Sequence, residues 1–422
     1  MLKTIASAFK IPDLRKKIFY TILLLIVFRL GSHVPIPGMR ADVLQNLVGS
    51  LDALGFMDLI SGGALGNATI FAMSITPYIN SSIIMQLLTV AVPALERMAK
   101  QGEEGRKKIG QYTRYLTVVL AFVQATGMYF GLRDAVTDRG VLSYLTIMLS
   151  FTAGTAFLMW LGEQITEKGV GNGISLIIFA GIVSRGPQMV TTVIGSMQNG
   201  ALNWFTLVLF LIVAVVVIGL VVLMNDSERR IPVQYAKRVV GRKMYGGQST
   251  HIPIKVSMAG VIPIIFAMSI MTFPITLMQL FNYNPTGGFG AWVMNNVFSQ
   301  TSIIYNVLYF LLILFFTFFY TKIQFNTVEI ANNMKNNGGF VPGIRPGRPT
   351  SEFIDRILNK ITIAGAVFIG LIAVLPMLLS SAFGFSVALG GTSLLIVVGV
   401  VLETGRQIES QMMIRHYKGF LE

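Results

Sequence analysis

The chain has 422 residues, of which 53% are hydrophobic and only 12% charged, and its mean hydropathy is +0.67. A water-soluble domain carries about a quarter of its residues as charged ones, so this composition excludes a soluble fold, and with it disorder, coiled coil and collagen. The net charge is +14, from 33 Lys+Arg against 19 Asp+Glu, and there is no cysteine, which removes disulfides, zinc thiolates and thiol catalysis.

A helix needs about 20 apolar residues to cross the hydrocarbon core. Ten spans are predicted in chain order: Ile18–Leu30, Ala68–Val92, Tyr115–Leu132, Val141–Leu161, Ile174–Val183, Trp204–Met224, Val256–Phe281, Ile303–Tyr320, Ile361–Leu379 and Val387–Leu402. The first, fifth and tenth are short, and a short span is lined by protein or water at one end or thins the bilayer. The first has the basic flank of a signal peptide (Lys10, Arg15, Lys16, Lys17). No small-residue cleavage site follows it and Arg29 interrupts its end, so a retained helix is expected. The link from Gly31 to Asn67 is too long and too glycine-rich (Ser61-Gly62-Gly63-Ala64-Leu65-Gly66) for a simple turn. Its apolar residues Leu59, Ile60 and Leu65 predict a short helix that folds back, although a loop packed on the outer surface has the same composition.

Ten spans leave eleven flanking segments. The alternate segments that include both termini hold 28 Lys+Arg and the others hold 4, which places both termini in the cytoplasm. Three cytoplasmic loops carry most of this charge: Pro93–Arg114, Asn225–Lys255 and Thr321–Lys360. The last two run 31 and 40 residues, whereas helix–helix connections usually take roughly 2–8. Anchoring, or attraction to anionic lipid, needs no such length. The stretches Arg238–Lys243 and Phe340–Gly347 therefore point to a docking surface for a large anionic partner.

The fifth and tenth spans begin alike. Asn172-Gly173-Ile174-Ser175-Leu176-Ile177-Ile178-Phe179-Ala180-Gly181 lies over Gly390-Gly391-Thr392-Ser393-Leu394-Leu395-Ile396-Val397-Val398-Gly399. The second and seventh spans each carry an early proline, in Ile75-Thr76-Pro77 and Val261-Ile262-Pro263. Five spans per half is an odd number, so two such halves, residues 1–190 and 200–422, sit in opposite orientations, as in many membrane transport proteins. Pro77 and Pro263 are expected to break their helices, with water in a central cavity covering the lost backbone bonds.

The span interiors are almost free of ionisable residues. Arg29 lies near a span end and is expected to snorkel. Along the path stand Ile75, Ile79, Ile174, Ile178, Ile265 and Ile396, with Ile75/Ile79 and Ile174/Ile178 spaced to share a helix face. Such a ring binds no ion and closes a pore by dewetting, while ordinary helix packing accounts equally for any one of these residues. Enzyme signatures are missing. His33, His251 and His416 are scattered, there is no G-x-S-x-G, and Gly169–Gly173 lacks the lysine of a phosphate loop and is expected to be a tight loop. No catalysis, cofactor or metal is therefore expected. The alternative, a secondary transporter of a small solute, calls for an ionisable site at mid-membrane and short cytoplasmic loops, and the sequence has neither.

Several stretches together carry a specific likeness: Phe56–Gly66 with Thr69–Leu88, Gly105–Ile109 with Gln111–Tyr115, Gly171–Gly181, Tyr235–Arg238, Gln248–His251, Met258–Pro263, Phe340–Gly347 and Gly390–Ile396. On these the chain resembles the SecY family, channel subunits of the bacterial protein translocase, over essentially its full length. The resemblance implies an all-α polytopic membrane protein, ten transmembrane helices in two inverted five-helix halves around an hourglass pore. It implies that the six isoleucines form the constriction. It implies an outer plug around Asp58, Leu59, Ile60, Ser61, Gly62, Gly63, Ala64, Leu65, Gly66 and Asn67. It implies a lateral gate between spans two and three and spans seven and eight. Gln86 matches a polar gate position, and Ser257 stands where many relatives carry Asn. Arg242, Lys243 and Arg345 match a docking site shared by the SecA motor and the ribosome, with Lys243 where Arg is common; Lys is the poorer bidentate partner. Implied partners are SecE, SecG, SecA, the ribosome, signal sequences, secretory polypeptides and membrane lipids, with no DNA. The implied place is a bacterial plasma membrane, where the channel passes unfolded secretory chains and releases transmembrane segments sideways into lipid.

Overall fold

Backbone in lipid must satisfy its own amides, so long apolar stretches fold as helices. In the computed structural model a helix lies on each of the ten predicted spans. The structure describes residues 7–418 apart from 51–54, 56–57, 59–60, 199–203, 236–237, 241–242, 246–248, 281–287, 300–301 and 384–390. The first half of the chain gives α1 (Pro12–Gly31), α2 (Ala41–Ser50), α3 (Thr76–Ala91), α4 (Pro93–Ala99), α5 (Glu103–Gly131), α6 (Val141–Lys168), α7 (Gly173–Ser184) and α8 (Gly186–Gln198). After α9 (Trp204–Asp226) come strands β1 (Glu228–Tyr235), β2 (Arg238–Val240), β3 (Lys243–Tyr245) and β4 (Ser249–Lys255). Then follow α10 (Ile262–Leu280), α11 (Gly288–Asn296), α12 (Ile303–Gln324), α13 (Thr327–Asn336), β5 (Gly339–Phe340), α14 (Arg348–Phe383) and α15 (Gly391–Lys418).

Among the described residues five helices are by themselves long and apolar enough to cross a membrane. The pair α3 and α4, bent by 103°, makes a sixth if it is one span. The bend has a local cause. Val92 precedes Pro93, and a residue before proline is pushed out of the α region; Val92 is extended (φ −107°, ψ 112°), so α3 stops there and Pro93 opens α4. The outer faces are apolar. Trp204 and Phe205 of α9 are 73% and 77% exposed and Val215 is 69% exposed, a surface suited to lipid rather than water.

Pro77 and Pro263 do not break helices. They stand in the first turns of α3 and α10, where the missing N–H would have had no helical partner. Pro274 does stand inside a helix, α10. What shortens the second span is the backbone before it. Residues 61–75 run as a chain of tight turns; in the link ahead of them, where a short helix is expected, Gly55 and Asp58 are helical, and Leu59 and Ile60 lie outside the described residues. Ala68 and Ser74 both adopt left-handed backbone, at φ 53° and 52°, at roughly 1–2 kcal/mol each for a residue with a Cβ. Ala68 is held there by the Ile36 N–H, which donates to its carbonyl at 2.8 Å, and by a bridge between Pro35 and Thr69.

Helices of the two halves form two packed groups. In the first, α1 packs on α6 and α7, α3 on α5, and α5 on α6; in the second, α10 packs on α12, α12 on α14, and α15 on both α9 and α14. Two seams join the groups: α10 lies against α3 and α5, and α15 lies against α7. A large core fills the space between them, and a second core under the fold-back segment gathers Leu65, Ala68, Met73, Ala125 and Phe151.

The two long basic loops are one unit. β1 pairs antiparallel with β4 and, through Gln234↔Phe340 and Tyr235↔Gly339, with β5 from the other loop. Ile231 and Val233 point inward from β1 and meet Ile254, Met334, Val341, Ile354 and Leu358. A proline is normally excluded from a central strand. Pro232 is tolerated because β5 pairs only with the end of β1 beyond it.

Gly154 of α6 sets the approach to the fold-back segment: a Cβ there would lie 1.9 Å from the Ile70 carbonyl oxygen. Gly154→Ala is expected to destabilise the protein by about 1–3 kcal/mol. Gly110→Ala in α5, with nothing within 4 Å of the new methyl, should instead stabilise it by about 0.5–1 kcal/mol. Thermal unfolding of detergent-solubilised protein measures both.

Candidate functional site

The six isoleucines come from four helix starts. Ile75 caps α3 and Ile79 sits in its first turn, Ile174 and Ile178 occupy the first two turns of α7, Ile265 lies in the first turn of α10 and Ile396 in the second turn of α15. Ile75, Ile79, Ile178 and Ile396 are buried, at 0%, 6%, 1% and 1% exposure. Ile174 and Ile265 are half-buried and pack against the same core. The six thus border one large core that also takes in residues of α1, α6, α9, α12 and α14, and each stands within the first two turns of its helix or caps it. Each start is written locally. Pro77 and Pro263 open α3 and α10. Asn172 caps α7, its side-chain oxygen accepting from the Ile174 N–H at 3.1 Å and the Ser175 N–H at 3.3 Å. Gly173 lets α7 press on α6, since a Cβ there would lie 1.9 Å from the Gly162 carbonyl oxygen.

Over this core lies the fold-back segment. Leu59 and Ile60 are outside the described residues. Ser61, Ala64 and Leu65 are fully buried, Gly62 and Gly66 are buried, Gly63 is half-buried and Asn67 is exposed. Ala64 belongs to the core that holds the isoleucines. Gly62 and Gly63 take left-handed backbone at φ 71° and 87°, a conformation that favours glycine. Asp58, at 2% exposure, is the one charged side chain fully buried among the described residues. Its Oδ1 accepts from the Gly66 N–H at 2.7 Å, its carbonyl accepts from the Gly63 N–H at 2.8 Å and from the Ser61 hydroxyl at 3.0 Å, and its Oδ2 pairs with the Arg185 guanidinium.

Arg29 does not snorkel. Its Nη1 donates to the Gly62 carbonyl at 2.9 Å and to the Ser184 hydroxyl at 3.2 Å. Arg185 carries no motif and counts in the sequence only as one charge of a short loop; its role follows from the meeting of α7 with residue 58. An aspartate just ahead of a glycine run, and an arginine at the end of a short apolar span, are the only traces these residues leave in the sequence.

Gln86 lies half-buried in α3, its Oε1 enclosed without a hydrogen-bond partner among the described residues. Other polar residues of α3, α5 and α10 are buried as well. Asn80 and Ser81 of α3, Thr113 and Gln124 of α5 and Ser269 of α10 are all buried, and the Ser81 hydroxyl donates to the Thr113 carbonyl at 2.7 Å. Ser257 precedes α10 in a cleft lined by Val221, Met224, Asn225, Val261, Ile369 and Leu395, all from the second half of the chain. Of the docking residues, Arg242 and the side chain of Lys243 are outside the described residues. Arg345 is exposed in a turn that follows β5, with Gly343 and Gly347 at φ 81° and 101°. The Arg345 carbonyl accepts from the Thr350 hydroxyl at 2.9 Å, which leaves the guanidinium facing solvent.

The sequence profile of the SecY family matches residues 69–405. The chain is 47% identical over 434 residues to the protein translocase subunit SecY of Halalkalibacterium halodurans, and 45% identical over 441 residues to that of Streptomyces coelicolor, each alignment covering all of both chains. Among solved structures it is similar to a protein-conducting channel, at 19% identity and a TM-score of 0.66, covering 94% of this chain and 92% of that one. It is also similar to Sec61 in a canine ribosome–channel complex, at 18% identity and a TM-score of 0.63, with the same coverage.

The cap of α7 fixes where Ile174 and Ile178 stand. Asn172→Ala is expected to lower stability by about 1 kcal/mol, read from thermal unfolding, while Asn172→Asp, which keeps the acceptor, should leave it near wild type.

Proposed function

As the chain belongs to the SecY family, we propose that its own residues conduct unfolded polypeptide as follows. Residues 1–190 and 200–422 are two opposed halves of a pore, with both termini in the cytoplasm of a bacterium and the chain in its plasma membrane. Ile75, Ile79, Ile174, Ile178, Ile265 and Ile396 are the constriction. Residues 58–69 are a plug on its outer side. The seam of α10 against α3 and α5 is the lateral gate, with Gln86 of α3 among its polar positions; Ser257, whose cleft is lined by the second half alone, lies off that seam. Arg242 and Lys243 of the first long loop and Arg345 of the second serve the SecA motor and the ribosome, and SecE and SecG complete the assembly.

The observation that supports this reading is that the six isoleucines, from the starts of four helices, all border one apolar core that also takes in Ala64 of the non-helical segment. A translocating chain exposes unpaired amides, so its route must be wet on either side of a single seal. Branched aliphatic side chains exclude water when the pore is empty and yield to any sequence, because they offer no hydrogen bond to grip it. An apolar signal sequence of ~20 residues gains ~25 cal/mol per Å² on leaving water for lipid, which offsets separating α10 from α3 and α5. The gate therefore responds to hydrophobicity rather than to a particular sequence. The chain has no phosphate loop, and the energy for movement comes from its partner.

Reconstitution into vesicles with the motor and a labelled secretory chain tests the reading: protease-protected polypeptide is expected inside, and uptake of small solute instead would favour a carrier. Replacing the six isoleucines by serine should raise resting ion conductance at least about tenfold, because the constriction then wets. An unchanged conductance would remove the ring assignment.

A further inference from the structure

Taken as a plug, residues 58–69 need something to hold them shut, and the isoleucine core alone touches them through few side chains. At its far end the segment is tied by the Ile36 N–H and by Gln45, which donate to the Ala68 carbonyl and the Asn67 side chain; at its near end the charged contacts come from two arginines outside it. Arg185, just beyond α7 and 20% exposed, pairs with the buried carboxylate of Asp58 across 127 positions of sequence. Its Nε and Nη2 lie 3.4 and 3.2 Å from the Gln188 Oε1, which orients the guanidinium. Arg29, near the end of α1, holds the Gly62 carbonyl and the Ser184 hydroxyl with one nitrogen. Gly62 is wedged against α7: a Cβ there would lie 3.1 Å from Gly181 Cα and 2.9 Å from Ser184 Oγ.

We propose that Arg185 and Arg29 are a two-point latch that positions the fold-back segment over the constriction, with Asp58 as its catch. This rests on the plug reading above and names the residues that set its opening threshold. The physics makes the latch two-state. With the segment seated, Asp58 is out of water and its charge is met by Arg185 and by the Gly66 N–H, so removing either partner leaves an uncompensated buried charge. With the segment displaced, both charges are hydrated and attract each other weakly. Because the pair is buried, salt screens it little, so the threshold is fixed by the protein and not by the medium. Arg29 acts differently: it holds a backbone carbonyl, so it senses where Gly62 stands and not which side chains the segment carries.

The test measures resting ion conductance in planar bilayers for wild type, Asp58→Asn, Arg185→Gln, the double variant and a chain lacking residues 61–66. Passage of a secretory polypeptide without its signal sequence is followed in parallel. The two single variants should each raise conductance about tenfold or more, and the double variant should raise it no further than either one, because the two residues act as a unit. Arg185→Lys keeps the charge, loses the planar fork and should give a smaller rise; it supplies the comparison if the neutral variants fold poorly. Arg29→Gln should raise conductance independently, multiplying the effect of Asp58→Asn. Single variants that conduct like wild type, while the deletion conducts strongly, would overturn the latch and leave the plug standing. A double variant whose effect is the product of the singles would overturn the pairing. A deletion that does not raise conductance would overturn the plug reading itself, and the latch with it.

Discussion

Irregular backbone at membrane depth is tolerated only where protein or water satisfies its amides, and the architecture follows from how this chain meets that constraint at residues 61–75. The segment closes on itself through turns: the Asn67 N–H donates to the Gly63 carbonyl, the Thr69 N–H and hydroxyl to the Ala64 carbonyl, and the Ser74 N–H to the Phe71 carbonyl. The groups left over go to other elements. Arg29 takes the Gly62 carbonyl, and the Val34 carbonyl accepts from the Ile70 N–H. Since α3 begins only after these turns, Ile75 and Ile79 stand at its start and border the core that Ile178 and Ile396 also enter.

That core and the seam beside it differ in kind. The core offers aliphatic side chains and no hydrogen bond. The helices of that seam, α3, α5 and α10, carry buried Asn80, Ser81, Thr113, Gln124 and Ser269, and the Ser81 hydroxyl bonds α3 to α5. The Thr113 hydroxyl bonds within its own helix, to the Ile109 carbonyl, and keeps that partner whatever lies across the helix face.

The spans and the uneven distribution of Lys and Arg are legible in the sequence because hydropathy and charge are local properties that survive any packing. The isoleucines are legible as a list but not as a cluster, since Ile75 and Ile396 share one core only in the folded chain. Pro77 and Pro263 mislead because a proline looks the same whether it opens a helix or interrupts one; the preceding turns, which hydropathy does not register, decide it. Arg29 carries no sign of its partner, and Asp58 and Arg185 stand 127 positions apart. The sheet is half legible. Ile231 and Val233 alternate with exposed neighbours as a one-sided strand should, but a two-residue strand borrowed from another loop leaves no pattern.

That borrowed strand has a mechanical consequence. β1 and β4 hang between α9 and α10, while β5 leads through a short turn into α14, and the three share hydrogen bonds and a small aliphatic core. A force on this three-stranded sheet reaches the ends of α9, α10 and α14 together, because its strands run directly into those helices, and α10 also packs on α3 and α5.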